Sequence, residues 1–343
     1  MKIVLDDKIP YILPSLQQLA DEVVVLPGAS ITTADVHDAD ILVVRTRTRC
    51  DRNLLAGSSV RLVLTATIGY DHIDTAYMHE AGIEWHNCPG CNAESVAQYV
   101  HSCLLLLQRE RGLDLSQTTV GIVGVGHVGR AVLQWLQRDL GLQRILLNDP
   151  PLAEACTPAP AGFEWSPIEQ LQAEADVLTF HVPLTREGRH ATHHLADQTF
   201  LNQLAKPCVL INAARGGVAD EAALLKAMDS GAVSSAIIDT WENEPHINSQ
   251  LLERAYIATP HIAGYSADGK ANASRMCVEA ICRHLGQPMT YQIEPPPLTH
   301  ADIDPNDIAL ALYDPRRDSQ ALKQHPAHFE QLRGNYPLRR EYL

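Results

Sequence analysis

Arg215, Glu244 and His261 stand in the segments INAARGG, DTWENEP and TPHIAGY, each just after an apolar run. An imidazole titrates near neutral pH and can take a hydroxyl proton as a hydride leaves. A neighbouring carboxylate stabilises the imidazolium that results. A guanidinium fork suits a substrate carboxylate. Together the three types suit oxidation of a 2-hydroxy acid, provided that a hydride acceptor is bound nearby. Glu242 lies two residues from Glu244, so either could serve the histidine.

The acceptor is suggested by Gly124-Val125-Gly126-His127-Val128-Gly129, a G-x-G-x-x-G turn. The apolar run 120–123 precedes it and a helical pattern follows from Val128, which is the context this turn requires. Gly124 permits the tight turn, Gly126 lets backbone approach a pyrophosphate, and Gly129 lets helix and strand pack closely. The backbone of His127 and Val128 then opens a helix whose free N–H groups attract phosphate. Asp149 ends the next strand, where its carboxylate can accept ribose hydroxyls and repel a 2′-phosphate. The expected cofactor is NAD.

These residues need a frame. Short apolar runs at 2–5, 23–26, 41–44 and 62–65 alternate with helical stretches, one of them over 10–20. A long helix is expected over 92–111, with apolar residues nearly all round, so that it is buried either between bodies or inside one. The pattern then restarts, with strands at 119–123, 144–147, 177–180, 209–212, 235–238 and 256–258. The fold class is therefore α/β, two doubly wound parallel-sheet domains. Gly286, Pro288 and Pro295 to Pro297 break the chain before a tail with an acidic stretch at 302–307 and arginines such as Arg316, Arg317 and Arg333. That tail suggests a small appended module, able to pair with another subunit or cover the site.

Composition narrows the partners. The 343 residues suggest two domains or slightly more. With Lys plus Arg at 27 and Asp plus Glu at 41, the formal net charge is −14. That field disfavours nucleic acid and anionic lipid. It also repels anionic substrates unless local arginines reverse it. Arg45, Arg47 and Arg49 would do so if strand alternation sent them to one side. The N-terminal apolar run is too short for a signal peptide, and nothing approaches the roughly 20 apolar residues of a membrane span. A cytoplasmic protein is expected. Eight cysteines in 343 residues are no disulfide scaffold. Cys88-Pro-Gly-Cys91 reads as a turn, and His190, His193 and His194 as a solvated loop, so no metal site is expected.

In their order and spacing, GVGHVG, INAARGG, DTWENEP and TPHIAGY resemble the D-isomer-specific 2-hydroxyacid dehydrogenases. The resemblance implies that Arg215, Glu244 and His261 are the catalytic set. It implies a split, flavodoxin-like substrate domain over 1–95 and 262–285 around a Rossmann NAD domain over 96–261, with hinges near 92–100 and 261–266. VRTRTRC, TATIGYDHID, NCPGCNAESVAQYV, ADVLTFHVPLT and LYDPRRD narrow it to a branch of that family acting on a phosphorylated 2-hydroxy acid in pyridoxal phosphate synthesis. In that branch a C-terminal module, here 286–343, makes a homodimer. Its members continue for a few dozen residues beyond the counterpart of Glu341, so a shorter module is expected here. The resemblance further implies substrate contacts at Thr46, Thr67 and Tyr265. It implies NAD contacts at Asp149, Thr179, Ala213, Ala214, Arg215, Asp239 and Gly264, with Asp239 accepting from the nicotinamide carboxamide. Two other readings stay open: a sibling enzyme such as a 3-phosphoglycerate or D-lactate dehydrogenase, and an NAD-sensing scaffold.

Overall fold

The computed structural model describes residues 1–297 and 308–341, so the acidic stretch 302–307 lies outside the described residues. The chain forms two compact units, Met1–Asn92 with Ser266–Thr299, and Ala93–Tyr265 with His300–Leu343.

Among the described residues the first unit holds five parallel strands, β1 (Lys2–Asp6), β2 (Glu22–Leu26), β3 (Ile41–Val44), β4 (Leu62–Thr65) and β5 (Glu84–His86), in the order β2-β1-β3-β4-β5. Successive side chains point to opposite faces. Ile3, Leu5, Ile41, Val43, Leu62 and Leu64 pack against Cys277, Val278 and Ile281 of the helix Ala267–His284. Val4, Leu42, Val44 and Val63 pack instead with Val36, Leu54, Leu55 and Met78. Both faces are covered, which is why β3 and β4 read as unbroken apolar runs. β5 is not expected from sequence. Its three residues, Glu-Trp-His, carry no apolar run, and it pairs only with β4 at the sheet edge. The helix expected over 10–20 covers Leu13–Leu19, with Pro14 in its first turn.

Among the described residues the second unit holds six parallel strands, β6 (Thr119–Val123), β7 (Arg144–Asn148), β8 (Val177–Phe180), β9 (Cys208–Asn212), β10 (Val233–Ile238) and β11 (Ile257–Ala258), in the order β11-β10-β9-β8-β6-β7. The chain leaves β6 for β7 on one side and then returns to β8 on the other. The carboxyl end of β6 is therefore the switch point where such sheets bind ligands.

The long helix Ala93–Arg111 belongs to this unit. Its Val96, Val100, Leu104 and Leu107 share one core with Ile122 and Leu147, with Trp135 and Leu136 of the helix His127–Leu140, and with Leu310 and Tyr313. Of the two expected placements, it is a core helix inside one body. The C-terminal segment likewise does not form a unit of its own. From Ile308 on, its described residues enter the cores of the second unit, Leu310 and Tyr313 in one and Leu322 and Phe329 in the other. Burying Phe329 completely contributes up to about 3 kcal/mol to holding that segment. Among the described residues no helix is long and apolar enough to cross a membrane.

Candidate active site

At the end of β6 the glycine turn has the shape its residues dictate. Gly124 has φ 88°, and a Cβ there would stand 2.8 Å from the His181 carbonyl oxygen. A Cβ on Gly129 would come 2.1 Å from the Gly124 carbonyl oxygen, so helix and turn are in backbone contact. Gly126 caps the helix His127–Leu140 without a side-chain hydrogen bond, and a Cβ there would meet nothing within 4 Å. There is therefore open space beside Gly126 at a helix N-terminus, which fits a pyrophosphate. Asp149 directly follows β7, and its carboxylate accepts from Val125 N–H at 2.8 Å and Leu152 N–H at 3.1 Å. It thus ties the glycine turn to the next strand. Thr179 is fully buried on β8, its hydroxyl 2.9 Å from His181 Nε2.

The catalytic candidates come from the ends of β9, β10 and β11. After β9, Asn212 closes the turn of Ala213, Ala214 and Arg215: its amide donates to the Arg215 carbonyl at 3.0 Å and its oxygen accepts from Ala214 N–H at 3.2 Å. Gly216 then lies against the next loop so tightly that a Cβ would stand 1.8 Å from the Trp241 carbonyl oxygen. This contact brings the Arg215 turn beside the segment that carries Glu244. Trp241 is almost fully buried; its backbone N–H donates to Glu244 Oε1 at 2.9 Å and its indole to the Thr259 carbonyl at 2.9 Å.

His261 follows β11 on a left-handed backbone, φ 56°, a conformation that costs a non-glycine residue energy and needs support. Asp239 supplies it. The buried carboxylate accepts from Thr259 Oγ1 at 2.6 Å, Ile262 N–H at 2.8 Å and Ala263 N–H at 3.0 Å. Burial pushes the Asp239 carboxyl up, against the pull of these donors and of His261. Sequence reading assigns Asp239 to the cofactor; its visible work is to hold the loop of His261 and Gly264. On that loop, Nδ1 of His261 stands 2.8 and 3.1 Å from the two oxygens of Glu244. Burial pushes the Glu244 carboxyl up, but the charge and hydrogen bond of His261, the Trp241 N–H and the charge of Arg333 hold it below the usual range.

The competitor Glu242 faces elsewhere. Its carboxylate meets His194 Nε2 at 2.5 Å, and its N–H donates to Glu221 at 2.8 Å. The histidine cluster is therefore more than a solvated loop: His194 is tied to Glu242, and His190 to Glu154 at 2.9 Å. Tyr265, four residues after His261, carries two neighbours with no counterpart in the sequence reading, the ring of Tyr336 at 6.0 Å between centroids and the guanidinium of Arg333.

Thr46 and Thr67 belong to the first unit. Thr46 is exposed, and Thr67 donates to the Gly69 carbonyl at 2.8 Å. The arginines near them do not alternate along a strand, because β3 ends at Val44 and residues 45–49 turn. Arg45 instead donates to the Lys8 carbonyl at 3.1 Å, and Arg49 pairs with Asp51 at 3.1 Å. In the second unit Arg316 pairs with Glu110 at 2.6 Å and with Asp314.

Comparison with known proteins agrees with this geometry. Residues 96–263 match the D-isomer specific 2-hydroxyacid dehydrogenase NAD binding domain, and residues 298–343 match a domain of unknown function (DUF3410). The D-lactate dehydrogenase of Aquifex aeolicus, solved with NAD and lactic acid, shares the fold at TM-score 0.67 and 23% identity, over 83% of this chain and 96% of that one. The TT0316 protein of Thermus thermophilus gives TM-score 0.70 at 26% identity, over 86% and 99%. An erythronate-4-phosphate dehydrogenase of Bacteroides fragilis is 53% identical over 99% of this chain and 97% of its own length, so the C-terminal segment is matched with the rest. The fold is that of an NAD-dependent dehydrogenase acting on CH–OH, and over its whole length the chain belongs to the erythronate-4-phosphate dehydrogenase family.

Proposed function

We propose that this protein oxidises 4-phospho-D-erythronate at C2 to 2-oxo-3-hydroxy-4-phosphobutanoate, a step of pyridoxal phosphate synthesis. The observation that carries the reading is the contact between His261 Nδ1 and both oxygens of Glu244. A carboxylate only accepts, so Nδ1 bears the proton, and Nε2 of the neutral ring is left as the base. His261 takes the C2 hydroxyl proton on Nε2, and Glu244 stabilises the imidazolium that forms. Arg215 orients the substrate carboxylate through its planar fork. Gly124, Gly126 and Gly129 with the first helical turn, Asp149 at the ribose, and Ala213, Ala214, Asp239 and Gly264 nearer the reacting carbon are the residues that would hold NAD. When bound, NAD supplies the acceptor for the C2 hydride. Thr46, Thr67 and Tyr265 offer uncharged hydroxyls to the substrate.

The test is NADH formation by the purified protein with 4-phosphoerythronate, 3-phosphoglycerate and D-lactate in parallel, each with and without 2-oxoglutarate. Turnover confined to 4-phosphoerythronate is expected. Preference for either of the others would make it a sibling enzyme, and NAD binding without turnover on any would favour the scaffold reading. A homodimer is part of the proposal, resting on the family resemblance of the C-terminal segment and checked by sedimentation. A cytoplasmic location is proposed from the eight cysteines, all of them free thiols.

A further inference from the structure

We propose that Arg333, from the C-terminal segment, recognises the second anionic group of the substrate, its phosphate ester, and so makes this enzyme selective for doubly anionic 2-hydroxy acids. The proposal rests on the reading of the substrate given above and deepens it.

Arg333 lies in the short helix Phe329–Gly334, which Phe329 pins by its complete burial. The guanidinium carbon stands 5.6 Å from the centroid of Tyr265, a cation over an aromatic face. Tyr265 follows His261 by four residues on the loop that Asp239 holds, and its N–H donates to the Ile262 carbonyl at 2.9 Å. Arg333 is thus a cation of the catalytic neighbourhood supplied by a segment far away in sequence.

One of its polar atoms, Nε, is closed off from solvent and has no hydrogen-bond partner among the described residues. The nearby arginines differ. Arg316 pairs with Glu110 and Asp314, and Arg339 donates to Gln98, Ser95 and the Ile262 carbonyl. Against burial, Tyr265, Glu244 and Glu330 all favour its charged form, but Glu244 is committed to His261 and to the Trp241 N–H. A buried N–H without an acceptor costs energy in the free enzyme. An anion with several acceptor oxygens offsets that cost on binding, and arginine takes phosphate bidentately. The chain as a whole carries −14, so a substrate with two anionic groups needs a local cation for each. In this reading Arg215 serves the carboxylate and Arg333 the phosphate.

The test compares two substrates that differ only in that group. With NAD saturating, kcat and KM are measured for 4-phospho-D-erythronate and for D-erythronate, using wild type, Arg333→Ala and Arg333→Lys. NAD affinity and thermal unfolding verify that each variant folds, and Arg333→Lys keeps a cation should Arg333→Ala fail to do so. The expected result is a KM for the phosphorylated substrate raised about 10- to 100-fold in Arg333→Ala, the weight of a lost charge-assisted contact. The loss on D-erythronate is smaller than that on the phosphorylated substrate by about 10-fold or more, and Arg333→Lys recovers part of the difference. Equal losses on both substrates would overturn the proposal and leave Arg333 as a positioning residue for Tyr265 and Glu244. An unchanged KM would overturn it too. A wild-type enzyme that ignores 4-phosphoerythronate but oxidises another hydroxy acid would instead sink the substrate reading beneath it.

Discussion

His261 Nδ1 meets both carboxylate oxygens of Glu244, at 2.8 and 3.1 Å, across 17 residues of chain. The contact fixes the ring's orientation and its tautomer together. Replacing His261 by Ala removes the proposed base, and kcat should fall by at least about 100-fold with NAD binding intact. Glu244→Gln keeps the shape and removes the charge, so it should lower kcat more than it changes KM. Steady-state kinetics on both variants check this, and unchanged turnover in His261→Ala would falsify the assignment.

Asp149 joins the glycine turn to β7 through Val125, and the proposed function sets it at the NAD ribose. Asp149→Ala should raise the KM for NAD about 10-fold, the weight of one hydrogen bond to a charged group. It should also narrow the preference for NAD over NADP, since a repelling carboxylate is gone. Cofactor titrations with both nucleotides measure the ratio; a ratio that does not move would assign discrimination to other residues.

Gly216 permits the contact between the Arg215 turn and the Trp241 loop. A Cβ at 1.8 Å from a backbone oxygen cannot be relieved by rotating a side chain. Gly216→Ala should therefore cost about 1–3 kcal/mol of stability and also reduce kcat, because both loops must shift. Thermal melts and turnover on one preparation test it. A variant with wild-type Tm and kcat would mean that the two loops are not in tight contact.

Glu221 gives a pH dependence. Burial pushes its carboxyl up to about 7, against the hydrogen bond from the Glu242 N–H. A carboxyl with a raised folded pKa gives stability that is full below its unfolded value, near 4.5, and lost as pH rises through 7. Glu221→Gln keeps the acceptor for Glu242 and never ionises. Its Tm should exceed that of wild type at pH 8, with the advantage gone by pH 5. A constant difference over that range would show that Glu221 does not titrate there.

Arg339, 4% exposed, donates to Gln98 Oε1 at 2.8 Å and to the Ile262 carbonyl at 3.2 Å, and lies 3.6 Å from the centroid of Tyr313. Arg339→Ala strands these acceptors and should cost at least about 3 kcal/mol. Because Ile262 neighbours His261, kcat should fall as well. Urea unfolding followed beside activity separates the two effects; a loss of stability with full activity would confine Arg339 to a structural role.

The sequence alone determined what depends on neighbours along the chain. β3, β4 and β6 are readable because a strand buried on both faces must be apolar throughout. Gly124 and Gly129 are readable because each answers a local steric demand, Gly126 because its spacing from them completes the turn pattern, and Arg215 and His261 because they closely follow strands. Tertiary structure decided the long-range pairings. Glu242 and Glu244 are chemically alike and two residues apart, so only the folded loop sends one to His194 and the other to His261. Asp239 was legible as a residue at a strand end, but its hold on the His261 loop depends on a turn 20 to 24 residues further on. The C-terminal segment looked separable because Gly and Pro break the chain before it. Its Leu310, Tyr313, Leu322 and Phe329 carry too little local pattern to reveal that they complete the cores of another region. Arg333 came with them, and no local spacing could have placed it over Tyr265.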